Sequence, residues 1–209
     1  MLESFITAFI VYFVVIDPVG NAPIFLAVTS HLSKRQKMRV ALEGSIVAAA
    51  IMLFFALCGA WVLHYLTISL TAFKIAGGVI LLLVALDMLS NKRQERKEQR
   101  SDINPAEDNV SIFPLAIPLL AGPAAITSVM VVSSANATSL KLSLLGLGAL
   151  VAVMTVTALI LIATSLAEAY IDRRVTSVFS RITAIILAAL SIQYIIDGLQ
   201  ALGVISVGG

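Results

Sequence analysis

Six predominantly apolar stretches, near residues 4–29, 42–64, 68–89, 111–134, 142–167 and 179–204, fill most of this 209-residue chain. Crossing the hydrocarbon core of a bilayer takes roughly 20 apolar residues wound as a helix, and each stretch meets that length. With 59% hydrophobic and 12% charged residues and a mean hydropathy of +1.01, the chain is too apolar for a soluble domain of its size. Backbone groups in lipid must be satisfied within their own segment, so the expected fold is all-α and integral to the membrane, with six transmembrane helices. Glu3 and the lack of an early Lys or Arg set the first stretch apart from a cleaved secretory signal, and it reads as a permanent helix.

Two of the six stretches are interrupted. Asp17-Pro18-Val19-Gly20-Asn21-Ala22-Pro23 breaks the first, and Pro118-Leu119-Leu120-Ala121-Gly122-Pro123 breaks the fourth, with the proline pairs a hundred positions apart. Proline withdraws a backbone donor and clashes with the preceding turn, so such pairs open a helix locally. Opened backbone within a bilayer has to face protein, water or ligand. Asp17 lies about fourteen residues into its span, which at ~1.5 Å per residue is near the midplane. A carboxylate there costs at least about 2.5–3.5 kcal/mol on insertion scales, and it must be hydrated, paired, protonated or bound to a cation. The other acids within the spans, Glu43, Asp87, Glu168 and Asp197, lie within about two turns of an interface, where water or a basic neighbour reaches them.

Basic residues orient the chain, because short cytoplasmic loops collect Lys and Arg. Lys34, Arg35, Lys37 and Arg39 follow helix 1; Lys92, Arg93, Arg96, Lys97 and Arg100 follow helix 3; Arg173, Arg174 and Arg181 fall between helices 5 and 6. Only Lys74 and Lys141 fall on the other side, which places both termini outside, in the periplasm of a bacterial inner membrane. The same bias accounts for the basic loops without any nucleic-acid partner. The stretch from Asn91 to Asn109 mixes both signs of charge and reads as a solvated cytoplasmic linker. It divides the chain into a first three-helix repeat (1–90), the linker (91–110) and a second three-helix repeat (111–209). An odd number of crossings per half turns the second half over, giving inverted repeats with helices 1 and 4 broken at mid-membrane. Corresponding broken helices in two such halves are the strongest sequence pointer to a secondary transporter's site.

The candidate site is therefore the pair of breaks: Asp17, Pro18, Gly20, Asn21 and Pro23 with Pro118, Gly122 and Pro123. Asp17 followed by Pro18 is also how a helix begins, with an N-cap and a proline in the first turn, so structure and transport both claim it. Asn21 can donate and accept where water is scarce. The small residues Gly20, Ala22, Ala121, Gly122, Ala124 and Ala125 limit the cavity to a compact ligand and leave N–H and C=O groups as its main polar lining. Such a lining suits a zwitterion, with a carboxylate at the positive ends of the half-helices and an ammonium near opened carbonyls, Asp17 and Asn21. Thr127, Ser128 and Gln193 could add contacts, although membrane hydroxyls more often bond their own backbone. Elsewhere, Gly44 with Ala48, Gly77 with Gly78, and Gly148 with Ala152 read as helix-packing contacts. Ion coupling would run through Asp17. A proton would need its pKa raised by the low-dielectric site, whereas sodium would use carboxylate and carbonyl oxygens.

Other chemistries find little support. His31 and His64 lie far apart in the topology and make no metal cluster; there is no H-E-x-x-H, no G-x-S-x-G and no pair of deep carboxylates, so no catalytic residue, no cofactor and no enzyme activity are expected. No Walker-type loop is present for ATP-driven transport. Cys58 is the single cysteine and reads as a small core residue. Small-residue surfaces on helices 2 and 5 would suit a homodimer.

The segments 17–23 and 117–123, together with the six-helix length, closely resemble the MarC family of bacterial and archaeal membrane proteins. That resemblance implies a six-helix inverted-repeat fold related to amino-acid exporters of the LysE type, and kinship with archaeal carriers of glycine and alanine that use an ion gradient. It also implies that the eight break residues form a discontinuous-helix site. Ala124 departs from the family pattern, in which many members place another glycine after the Gly-Pro pair. The expected function is thus a secondary transporter of small neutral amino acids, with export of another small metabolite, a channel or a passive scaffold as the alternatives.

Overall fold

The computed structural model describes residues 2–89, 111–136, 139–167 and 173–204. The linker 91–110, with its five basic residues, and Glu168 lie outside the described residues. All regular structure among the described residues is helical: α1 (Leu2–Ile16), α2 (Pro18–Val28), α3 (Lys34–Tyr65), α4 (Leu70–Leu89), α5 (Ser111–Leu120), α6 (Pro123–Asn136), α7 (Leu140–Leu166) and α8 (Arg173–Ala201). Among the described residues five helical spans are long and apolar enough to cross a membrane, α1 and α2 together counting as one of them. The stretch 111–136 is split into two shorter helices at Ala121 and Gly122, neither of which has that length alone.

Helix edges extend beyond the apolar stretches at two places. α3 begins at Lys34 rather than near 42, because Ser33 caps it reciprocally: Ser33 Oγ accepts from the Gln36 N–H at 3.4 Å, and Gln36 Oε1 accepts from the Ser33 N–H at 3.0 Å. The basic residues after helix 1 are therefore helical, and Lys37 is buried on the first turns of α3. At ~1.5 Å per residue, 32 residues exceed the bilayer core, so α3 projects beyond it or tilts. α8 likewise begins at Arg173 rather than near 179.

Large apolar residues lie both between the helices and on their outer faces, as expected where the surrounding solvent is lipid. Leu42, Ile46, Leu57, Leu83, Leu144 and Ile185 are exposed, whereas Phe25, Met52, Leu81, Leu150 and Leu187 are fully buried. Trp61 and Tyr65 stack at 5.7 Å on the exposed end of α3, where an interfacial aromatic belt would lie.

The most extensive helix pair is α4 with α8. Thr71, Ile75 and Gly78 on α4 repeat the spacing of Ser191, Ile195 and Gly198 on α8. Each glycine faces the other set's isoleucine and backbone carbonyl. This reciprocal register makes the two helices antiparallel and closely apposed. Further pairings join α3 to α7, α1 to α7 and α6, α2 to α7 and α8, α3 to α5 and α6, α4 to α6, and α2 to α5. Gly77 receives Thr127, and Gly59 receives Met130, so these glycines serve packing. Gly44 and Ala48 are buried, but Gly148 is exposed and has only Phe5 near it.

Candidate functional site

The first break is a single residue wide. Pro18 has no N–H for the turn before it, and the chain passes through Asp17 in left-handed geometry (φ 49, ψ 60) before α2 begins. A left-handed residue with a Cβ costs about 1–2 kcal/mol, and the short polar Asp and Asn are the types that tolerate it. The Asp17 carboxylate Oδ1 accepts from the Gly20 N–H at 3.1 Å, and its carbonyl accepts from the Asn21 N–H at 3.0 Å. Asn21 bridges the break, its side-chain Nδ2 donating to the Ile16 carbonyl at 2.7 Å. That carbonyl belongs to the last turn of α1 and has lost its regular helical donor. Neither residue is reached by solvent: Asp17 is 2% and Asn21 0% exposed. Pro23 lies half-buried one turn on and withholds a second donor.

Gly20 marks a close approach from outside the motif. A Cβ there would collide with the Asp17 carboxylate and with the Ser180 hydroxyl, so α8 closes over the first break through Ser180.

The second break is built differently. Pro114 and Pro118 withdraw N–H groups from α5, which winds with the wider π-type bonding, continued by the Ala121 N–H to the Ala116 carbonyl at 2.9 Å. The side chain of Pro118 lies outside the described residues. α6 begins at Pro123, itself exposed, and its first intrahelical bond runs from the Ile126 N–H to the Gly122 carbonyl at 3.0 Å. Gly122 occupies the capping position with no side chain to offer. The pairings of α1 with α6 and α2 with α5 bring the two breaks alongside one another.

Three hydroxyls gather where α1, α6 and α8 meet. Tyr12 and Tyr194 are buried and near enough to interact electrostatically. The Tyr194 and Ser128 hydroxyls are buried and lie within hydrogen-bonding influence of each other, with no further partner for either among the described residues. Motif reading names Ser128 but misses Tyr12, Tyr194 and Ser180. A tyrosine far inside an apolar span was the available signal, since its buried O–H needs a partner. Of the remaining candidates, Thr127 packs on Gly77, and Gln193 is exposed and donates to Asp197 Oδ1 at 2.6 Å, away from the breaks. Glu43 pairs with Arg39 at 2.7 Å on the exposed flank of α3. Among the described residues no group of three or more His, Cys, Asp or Glu could hold a metal ion. A cavity of about 500 Å³ lined by Leu2, Phe5, Lys141, Leu144 and Leu145 lies at the first turns of α1 and α7, apart from both breaks.

A model of the MarC family of integral membrane proteins matches residues 2–202. The chain belongs to the MarC family. The MarC chain is similar to a UPF0056 membrane protein of Methanocaldococcus jannaschii, at 38% identity over 95% of this chain and 97% of that protein. Similar proteins of Archaeoglobus fulgidus and Aquifex aeolicus are 32% and 31% identical, each over 95% of this chain and 93% of the relative. No solved structure matches at a significant level. The MarC resemblance carried by the two proline breaks is borne out. With bacterial and archaeal relatives throughout, this MarC protein is an integral, multi-pass protein of the plasma membrane.

Proposed function

We propose that the protein is a secondary transporter of compact zwitterionic solutes, small neutral amino acids such as glycine and alanine first among them, acting by ion-coupled alternating access around the two breaks. The proposal includes six crossings arranged as inverted repeats, 1–90 and 111–209, with both termini periplasmic and no catalytic role. A homodimer on the exposed faces of α3 and α7 is compatible with it.

The pattern of helix contacts supports the inverted arrangement. If the two halves are exchanged, so that α1 to α4 take the places of α5 to α8, the pairs α3–α7 and α4–α8 map onto themselves. The pairs α1–α7 and α5–α3 change places, as do α2–α7 and α6–α3, α2–α8 and α6–α4, and α1–α6 and α5–α2. Only α6–α7 and α1–α8 lack a counterpart among the extensive pairings of the described residues.

The observation that carries the reading is the buried carboxylate of Asp17 at the start of a half-helix, beside a second opened helix. A structural cap alone would be satisfied by Asn or Ser without the insertion penalty of a deep charge. Uptake of labelled glycine and alanine into proteoliposomes, with proton and sodium gradients imposed separately, tests it. Saturable flux driven by one gradient supports the transporter and names the ion. Flux without saturation would favour a channel, and no flux of either amino acid in either orientation would return the function to another metabolite or to a scaffold.

A further inference from the structure

The cavity of about 500 Å³ between the first turns of α1 and α7 takes no part in the site at the breaks. Its volume falls within the roughly 300–1,000 Å³ of ordinary ligand sites. Leu2 and Phe5, one turn apart on α1, form one wall, and Leu144 and Leu145 on α7 form the other. Among the described residues that line it, Lys141 alone carries a charge. The start of α7 is drawn toward α6, where Ser143 Oγ donates to the Asn136 carbonyl at 3.1 Å and the Asn136 amide faces Gly146. The first turn of α1 is thereby left with an open cleft beside it. Deeper in, a Cβ on Gly148 would meet only the Phe5 ring, at 3.9 Å, so bare backbone floors the cleft there.

The level of the cleft follows from packing at the same end of the bundle. Ser133 Oγ on α6 donates to the Ala56 carbonyl on α3 at 2.6 Å, Met130 packs on Gly59, and Asn136 reaches α7 at Ser143. The C-terminal end of α3, with its exposed Trp61 and Tyr65, therefore lies at the same end as Lys141 and Leu2. Trp and Tyr collect at the depth of the lipid headgroups. Lys141 thus stands at headgroup level, and the apolar walls run from it toward the hydrocarbon.

The charge is as specific as the shape. All Lys and Arg except Lys74 and Lys141 fall in the segments 34–39, 92–100 and 173–181. Lys141 is exposed and pairs with no carboxylate among the described residues. Glu3, the acid in the first turn of α1, lies about 100° round the helix from Leu2 and farther from Phe5, off the face that lines the cleft. A lysine that merely snorkels to the interface needs no cleft beneath it. An unpaired cation above an apolar cleft matches a head that is anionic and a tail that is hydrocarbon.

We propose that this cleft binds an anionic phospholipid of the phosphatidylglycerol type, its phosphate paired with the Lys141 ammonium and one acyl chain laid between the α1 and α7 walls. The lipid bridges the first helix of one half and a long helix of the other. Phosphatidylethanolamine carries its own ammonium beside the phosphate, so a single lysine favours phosphatidylglycerol over it.

The test is native mass spectrometry of the full chain in detergent with phosphatidylglycerol added, with Tm as a second readout. The parent is expected to retain one phosphatidylglycerol per chain in preference to phosphatidylethanolamine, and to gain Tm from it. Lys141→Gln changes only an exposed side chain, so its Tm without lipid should match the parent. Its affinity for phosphatidylglycerol should fall about fivefold, the worth of one lysine beside an anionic headgroup. Lys74→Gln, which removes the other isolated basic residue, should change neither. Single-chain lysophosphatidylglycerol should compete, and glycerol phosphate, the head without a tail, should not. Parental affinity in Lys141→Gln, or an equal loss in Lys74→Gln, would overturn the proposal. So would equal retention of phosphatidylethanolamine, because charge would then select nothing. Competition by glycerol phosphate would replace the lipid site with one for a small anion, and a dimer that excludes phosphatidylglycerol would give the cleft to a second copy of the chain; either result sinks the assignment.

Discussion

Asp17 serves as a cap, as a left-handed residue and as a buried carboxyl group, and three substitutions separate these roles. Asn caps nearly as well and tolerates the same backbone, so Asp17→Asn should unfold within about 1 kcal/mol of the parent while losing gradient-driven flux. Gly removes the side chain but frees the backbone, so Asp17→Gly should cost only a few tenths of a kcal/mol. Asp17→Ala loses the cap, about 1 kcal/mol, and strains φ 49, about 1–2 more, so it should be the least stable of the three in thermal or denaturant unfolding. If Asp17→Asn keeps full ion-coupled uptake, the carboxylate is a cap and nothing else. Asn21 is tied to the Ile16 carbonyl through its own amide, so its structural role is direct. Asn21→Leu leaves that buried carbonyl without a donor and should cost about 1–3 kcal/mol, a loss visible in unfolding before any transport assay is run.

Helix contacts decide how the breaks are held, and here sequence and fold part company in instructive ways. Proline and glycine act on their own backbone, which is why both openings, and Asp17 at the cap of the first, are legible from the chain alone. The contact over the first is not: Ser180 arrives from α8 by packing across most of the chain, and no local pattern announces it, whereas Tyr12 and Tyr194 are signalled only as tyrosines deep in apolar spans. Hydropathy also stops short at the start of α3, since a helix leaving the bilayer need not be apolar, though the Ser33 and Gln36 capping pair was a signal that hydropathy ignores. The α4–α8 crossing gives the measurable case at this scale. A Cβ on Gly78 would lie 2.7 Å from the Ser191 carbonyl, which is backbone and cannot step aside, whereas one on Gly198 meets chiefly the Ile75 side chain, with the Thr71 carbonyl at 3.3 Å. Gly78→Ala should therefore destabilise by about 1–3 kcal/mol and Gly198→Ala by distinctly less, an order read from Tm in detergent. Equal losses would mean that the two helices are free to separate.

For the molecule as a whole, the decisive property is whether its halves face opposite ways, and one pair of residues reports on it. α3 and α7 occupy corresponding places in the two halves, pack on each other, and each begins near an exposed lysine, Lys34 and Lys141. In an inverted repeat these equivalent ends lie on opposite sides of the membrane; in a parallel repeat they lie on the same side. The positive-inside bias assigns Lys34 to the cytoplasm and Lys141 to the periplasm. Cys58 is the single cysteine and half-buried, so Cys58→Ser gives a background in which Lys34→Cys, Lys141→Cys and Glu3→Cys can each be probed with an impermeant maleimide. Intact spheroplasts should label Lys141→Cys and Glu3→Cys, with Lys34→Cys labelled only after permeabilisation. Labelling of both lysine positions from one side would remove the inversion, and with it the argument that two half-helices of opposite direction meet at the midplane. Labelling from opposite sides but with Glu3→Cys protected would keep the inversion and turn the whole protein over, leaving both breaks at the midplane.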